Sequence, residues 1–192
     1  MLSRRSVLGV LFAVLLAGCT EPRKPAFGEN AVVDFGVNKD VVTTTNLAKG
    51  VEGRPNSISK QQVARDLSSA FDFVFANRRS GARKVNIAVD VRKIRLPPRL
   101  ETAITPETSH LIADVRVTDT RTGQDVMPPS SFVGVSDYDV SQPVHIFSAL
   151  TKLSVQDDYL DTIQISAEQL NQVLFGQDGT RKFPGPLSGA SG

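Results

Sequence analysis

The chain holds one cysteine among 192 residues, Cys19, and no other side chain stands in surroundings that so narrowly define a chemistry. A thiolate is a good nucleophile, but a lone thiol cannot close a disulfide within the chain or build a Cys-based metal site. The two histidines, His110 and His145, lie in different segments and have no His-x-x-x-His spacing. A metal would need carboxylates gathered from afar, so they read as surface or capping residues and no metal is expected. Asp157, Asp158 and Asp161 could form an acid pair or supply calcium ligands, but no Asp-x-Asp-x-Asp-Gly loop accompanies them. The simpler reading is acidic charge favoured by a helix N-terminus. Gly-x-Ser-x-Gly and a phosphate-cradling glycine loop are absent, and no cofactor is expected. There is no Trp, and the ten Phe fall mostly in apolar patterns, which gives little support for a carbohydrate-stacking platform.

The residues before Cys19 form three zones. Met1–Ser6 carry Arg4 and Arg5 and no acid, Val7–Ala17 are apolar apart from Gly9, and the segment ends in Leu16-Ala17-Gly18-Cys19. A basic start, a short apolar core and a small-residue exit describe a secretory signal. The apolar core is too short to span a bilayer, which takes about 20 residues. The final four residues resemble the lipobox of bacterial lipoproteins. That resemblance implies that a lipid transferase modifies the cysteine sulfur, that a signal peptidase cuts between Gly18 and Cys19, and that the new amino group is acylated. The competing reading, a chance cysteine at the end of an ordinary signal or buried helix, leaves both its position and its flanks unexplained. Each buried CH₂ contributes ~0.8 kcal/mol, and stable anchoring takes two chains or their equivalent. A lipidated Cys19 therefore holds the protein on a membrane without a spanning helix. By the enterobacterial sorting rule, Thr20 in place of Asp favours the outer membrane. Ser3-Arg4-Arg5-Ser6-Val7-Leu8 also resembles a twin-arginine signal, but lacks its Phe and trailing Lys, and the strongly apolar core suits the general secretory route.

Cleavage takes 18 of the 192 residues, leaving 174, and removes two of the 22 basic side chains and none of the 20 acidic ones. The mature chain is then formally neutral, which gives no electrostatic reason to expect nucleic acid as a partner. Its charges are unevenly placed. Arg78, Arg79, Arg83, Lys84, Arg92, Lys93, Arg95 and Arg99 cluster with only Asp90 among them, and acids prevail from Asp114 onward. If the two segments pair, the charges cancel on a solvated sheet face, which is the preferred reading. Otherwise Arg92, Lys93, Arg95 and Arg99 form a candidate surface for anionic lipid or an acidic partner.

The pattern of the chain places these residues. Thr20–Asn30, with Pro22 and Pro25, read as a tether. Alternation at Val33, Phe35 and Val37 predicts a strand near 31–38, and Thr43–Asn56 read as a loop. Ser59 and Gln62 have capping-box spacing, with Ile58 and Val63 at the staple positions. Val63, Leu67, Ala70, Phe71, Val74 and Phe75 make one apolar helix face, with Arg78 and Arg79 suited to its C-terminal dipole and Gly81 available as a stop. Val85, Ile87, Val89 and Val91 alternate, slip in phase at Lys93-Ile94 as a bulge would, and end at Pro97-Pro98. Leu111, Ala113, Val115 and Val117 repeat the alternation, Asp119–Gly123 reads as a turn, and a strand follows near 131–136. A short helix is expected after Pro143, and a longer one from about Asp158 to Phe175, stopped by Gly176. A rival parse has a strand at Tyr159–Ile165 before a helix capped by Ser166. The expected organisation is a signal peptide at 1–18, a lipidated tether at 19–30, one domain at 31–176 and a disordered tail at 177–192. The domain is α+β, a mostly antiparallel sheet with helices packed on one face.

Two further resemblances bear on function. The helix, Lys84–Val91 and the stretch Val115-Arg116-Val117-Thr118-Asp119-Thr120-Arg121-Thr122-Gly123 resemble a group of uncharacterised alphaproteobacterial lipoproteins, over roughly residues 60–136. This implies the same fold and no particular activity. Ser57-Ile58-Ser59-Lys60 contains the Ser-x-x-Lys of penicillin-binding enzymes, and Ser136-Asp137-Tyr138 faintly resembles their second motif. Their Lys-Thr-Gly is missing, and Ser59 already has a capping role. The reading that follows is a non-enzymatic envelope lipoprotein, facing the periplasm and binding an envelope protein partner. The alternative is an exported hydrolase or cell-wall enzyme with a serine nucleophile. Cys19→Ser is expected to accumulate as an uncleaved precursor that takes up no labelled fatty acid; normal processing and membrane retention of that variant would disprove the anchor.

Overall fold

A computed structural model of the chain describes residues 26–27, 34–48, 50–98, 108–136, 154–176 and 183. The signal segment, Cys19, Arg99, His145, the expected short helix after Pro143 and nearly all of the expected tail lie outside the described residues.

Among the described residues five strands form one mixed sheet: β1 (Phe35–Thr43), β2 (Val51–Gly53), β3 (Arg83–Leu96), β4 (His110–Asp119) and β5 (Ser130–Val135). Their order is β1-β3-β4-β5, with β2 lying beyond β1 on the same edge of β3. β1 and β2 run parallel to β3, whereas β3–β4 and β4–β5 are antiparallel. The first strand was expected to end near residue 38 and continues to Thr43. The cause is an irregularity between Val37 and Lys39, which resets the alternation and conceals the second half of the strand. β2 falls inside the expected loop. It is three residues long and takes its definition from β3 rather than from its own pattern.

The phase slip of β3 is a bulge: Val91 pairs with Ala113 and Lys93 with Ile112, leaving Arg92 as the extra residue. Because of it, Val85, Ile87, Val89 and Val91 before the bulge and Ile94 and Leu96 after it are all buried. Leu111, Ala113, Val115 and Val117 of β4 join them in the core.

Among the described residues two helices cover this core. α1 (Lys60–Val74) starts as its sequence suggests: the Gln62 backbone N–H donates to Ser59 Oγ at 3.1 Å, and Ile58 and Val63 are both buried. α1 buries Val63, Leu67, Ala70, Phe71 and Val74, and Phe75 follows them into the core. A 3₁₀ turn, Ala76–Arg78, then leads to Gly81. Gly81 serves close packing: a Cβ there would lie 2.0 Å from the backbone carbon of Phe35.

α2 (Val155–Phe175) is one continuous helix, which rules out the strand of the rival parse. It begins three residues before the expected start because Ser154 and Asp157 form a reciprocal capping box. Tyr159 is fully buried, and its hydroxyl crosses to α1, donating to Asp66 Oδ2 at 3.1 Å. Burial, and next the charge of Asp66, push this phenol far above the ordinary tyrosine range. The sign follows from linkage. An unfolded tyrosine ionises near ~10 while the folded one stays protonated, so its contribution is intact below pH ~10 and is lost above it. Denaturant titrations should therefore show wild-type stability falling relative to Tyr159→Phe by up to about 1.4 kcal/mol per pH unit above that point. Parallel curves for the two proteins would contradict this.

Candidate functional site

The two ends of the sheet are built differently. At one end Ala26 and Phe27 join the fold. The Ala26 N–H donates to Val173 O at 2.8 Å and the Phe27 N–H to Leu174 O at 3.2 Å. These carbonyls belong to the last turn of α2, where no intrahelical partner is available. The Phe27 ring lies 4.7 Å from that of Phe35 and meets Phe175 edge-on at 5.1 Å. Arg78 lies over the other part of this cluster, its guanidinium carbon 5.2 Å from the Phe175 centroid, and its Nε donates to Asn171 Oδ1 at 3.3 Å. Arg78 was expected to complement the dipole of α1. It lies beyond the helix, turns inward and is buried, joining the end of α1 to α2. Arg79 stays at the surface and donates to Asp72 Oδ1 and to the Asn38 carbonyl, each at 3.1 Å.

The same end carries a cleft. The Arg83 guanidinium lies 5.1 Å from the Phe35 centroid and donates from Nε and Nη2 to Asp119 Oδ2 at 3.1 and 2.8 Å. The other Asp119 oxygen accepts from the backbone N–H groups of Arg121 and Thr122 at 2.8 and 3.0 Å. The Arg83 hydrogen bond, followed by these two backbone donors, lowers the Asp119 carboxyl to about 2. Gly123 completes the turn with a φ of +70°, a conformation that favours glycine. Ala82, Arg83, Lys84, Asp119, Thr120 and Arg121 line a cleft of about 260 Å³. All of them are exposed except Asp119.

At the opposite end lies a buried polar knot. Arg54, after β2, forms an ion pair with Asp158 in the first turn of α2. Ser109 Oγ donates to Asp158 Oδ2 at 3.0 Å, and Ser136 Oγ donates to the Ser109 carbonyl at 3.0 Å. Asp158 thus complements the helix N-terminus and also ties α2 to the start of β4 and the end of β5. Ser136, the described part of the Ser-Asp-Tyr motif, is buried in this knot. Ser57 is exposed ahead of α1, and Ser59 caps the helix. Asp157 caps α2, and burial, then Glu168, raise the Asp161 carboxyl above its ordinary range.

The basic stretch of β3 lies beside the acidic stretch of β4. Arg92 Nε is 2.6 Å from Asp114 Oδ2, Lys93 Nζ is 3.7 Å from Glu52 Oε2, and Arg95 is opposite His110 and is also engaged. Arg116 and Asp125 pair on the same strand and its turn at 2.7 Å. His110 Nδ1 lies 3.1 Å from the Thr108 carbonyl. Among the described residues no three His, Cys, Asp or Glu side chains gather as a metal site would require. Also among the described residues, no helix is long and apolar enough to cross a membrane. Sequence reasoning missed the aromatic cluster, the inward turn of Arg78, the Arg54–Asp158 pair and the cleft. The signal that could have been read was the Asp-Thr-Arg-Thr-Gly turn with Arg83 and Lys84 among the clustered cations.

No protein-family model matches the chain, and no curated protein matches its sequence. Among solved structures it is similar to a candidate lipoprotein from Caulobacter crescentus CB15, with 18% identity, 69% of this chain and 86% of that one covered, and a TM-score of 0.31. It is also similar to a protein of family DUF330 from Xanthomonas campestris, with 10% identity, 80% and 88% covered, and a TM-score of 0.38.

The Arg83–Asp119 contact makes the turn after β4 acid-sensitive in a defined direction. The folded carboxyl titrates near 2 and an unfolded one near ~3.9, so the contribution is present above pH ~4 and is lost as pH falls through about 2. In a carbon-13 NMR titration, Arg83→Gln should raise the Asp119 midpoint, yet leave it below ~3.9 because the Arg121 and Thr122 donors remain. An unmoved midpoint would show that Arg83 is not the main cause.

Proposed function

We propose that the protein is a lipid-anchored component of the bacterial envelope that acts by binding a partner rather than by catalysis. One observation carries the reading: the lipobox cysteine stands seven residues before Ala26, whose backbone hydrogen-bonds to the end of α2. An extended chain spans at most ~3.3–3.6 Å per residue, so the domain is held within about 25 Å of the lipidated residue. The expected tether to Asn30 is effectively shorter, because Ala26 and Phe27 already belong to the folded unit. A domain held this close to its leaflet suits a fixed station in an envelope or transport assembly. Thr20 favours the outer membrane as that station. Of the serines behind the serine-enzyme alternative, Ser59 caps α1 and Ser136 is buried in the polar knot, while Ser57, the serine of Ser-x-x-Lys, is exposed ahead of α1.

Crosslinking in intact cells, then recovery in mild detergent, should capture a discrete envelope protein with the native chain and lose it with Cys19→Ser. A covalent serine probe should leave the protein unlabelled. Recovery of the protein always alone would count heavily against the binding role, and labelling that disappears in Ser57→Ala would reverse the choice between the readings.

A further inference from the structure

We infer that the end of the domain carrying the Arg83–Lys84–Arg121 cleft lies against the membrane and binds the anionic headgroups of the leaflet that holds the lipidated Cys19. The inference rests on the lipoprotein reading and extends it to a defined surface and ligand chemistry. The seven-residue link from Cys19 enters the fold at Ala26 and Phe27, and Phe27 packs on Phe35 and Phe175. Phe35 is the residue over which Arg83 lies, and Arg83 lines the cleft. A series of contacts therefore runs from Phe27 to the cleft, so the cleft shares the end of the domain at which the chain from Cys19 joins it.

Charge gives the second argument. Three cations, Arg83, Lys84 and Arg121, line the cleft with one carboxylate, Asp119. Both oxygens of that carboxylate are engaged, one by Arg83 and the other by backbone N–H groups of the turn. Arg121 and Lys84 thus give the cleft a net positive charge, and both are exposed. Lys84 Nζ also donates to the Arg79 carbonyl, which leaves its charge uncancelled. Among the described residues the carboxylates near this end outside the cleft are Asp34, which is exposed, Asp72 and Asp40, which both face Arg79, and Asp125, which pairs with Arg116. Exposed apolar surface gives the third argument: Val173, 43% exposed, sits beside the docked Ala26 at the end of α2. An apolar side chain near cations and a lipid anchor suits the headgroup boundary.

The test uses the full chain, processed and lipidated in its host. Acylation consumes the Cys19 thiol, so an introduced cysteine is the one site for a fluorophore. Thr120→Cys places it at the cleft, and Ser57→Cys places it on the Arg54 side. Each protein is reconstituted into phosphatidylcholine vesicles, with and without one quarter phosphatidylglycerol, that contain headgroup-quenching lipid. At low salt in the anionic vesicles, the Thr120 label should be quenched at least twice as strongly as the Ser57 label. The difference should shrink in neutral vesicles, in 0.5 M salt and in Arg121→Glu, with Lys84→Glu as an independent second variant. A Lys or Arg near an anionic surface changes association by about fivefold, which makes either single substitution detectable. Equal quenching at the two sites, or a difference indifferent to lipid charge, would overturn the proposal. The anchor is read separately, by the acyl mass on the Cys19 peptide and by flotation with neutral vesicles. Absence of both would overturn the lipoprotein reading itself, whatever the quenching shows.

Discussion

One face of β3 decides the arrangement of everything else. Its six apolar side chains from Val85 to Leu96 are buried, and each such burial contributes roughly 1.5–3 kcal/mol. A strand with that face covered needs helices on one side and hydrogen-bonding partners along both edges. β4 supplies one edge over nearly the full length, and β1 and β2 share the other. The bulge at Arg92 keeps Ile94 and Leu96 on the buried face, and β2 takes up the edge just past it. Without that extra residue, Ile94 and Leu96 would turn to solvent. α1 then lies between β1 and β3 in sequence because a parallel pair cannot be closed by a tight turn.

The parts of this arrangement that were legible are those written in local periodicity. α1, with Ser59, Ile58 and its apolar face, needs no distant partner to be recognised, and the same holds for β4 and the phase slip of β3. The parts that were not legible depend on residues far apart in sequence. β2 exists because Ile94–Leu96 offer an edge, and the later half of β1 is concealed by its own irregularity. The parallel sense of β1 follows from a crossover, which alternation cannot report. The site was harder still. Nothing local links Phe27 to Phe175, and Arg78 looked like a helix-end cation because its burial depends on Asn171 and Phe175.

The charge pattern has a similar explanation. A basic strand followed by an acidic strand looks like two patches in sequence, but antiparallel pairing sets them side by side. Arg92 meets Asp114, and Lys93 meets Glu52 from the other edge. Exposed pairs of this kind contribute about 0–1 kcal/mol, so they add little to stability. Their effect is to determine which cations keep an uncancelled field. On the sheet face Arg92, Lys93, Arg95 and Arg116 are engaged, while at the β3–β4 end Lys84 and Arg121 exceed the one carboxylate of their cleft.

The two ends of the molecule therefore differ in what they can do. The Arg54–Asp158 end is closed by a buried ion pair whose carboxylate is also hydrogen-bonded by Ser109. Removing either partner of a buried pair leaves a charge without compensation, a cost of about 3–5 kcal/mol, so this end behaves as a structural clamp. The outer edge of β5 is restrained as well. The Gln169 amide donates to the Val135 carbonyl and accepts from its N–H at 2.8 and 2.9 Å, taking the place of a neighbouring strand there. Two residues earlier the Val133 side chain is 53% exposed on the outward face of the sheet, away from α2. The cleft and the aromatic cluster share the other end, where Ala26 and Phe27 join the last turn of α2, so the cations that keep an uncancelled field lie away from the clamp.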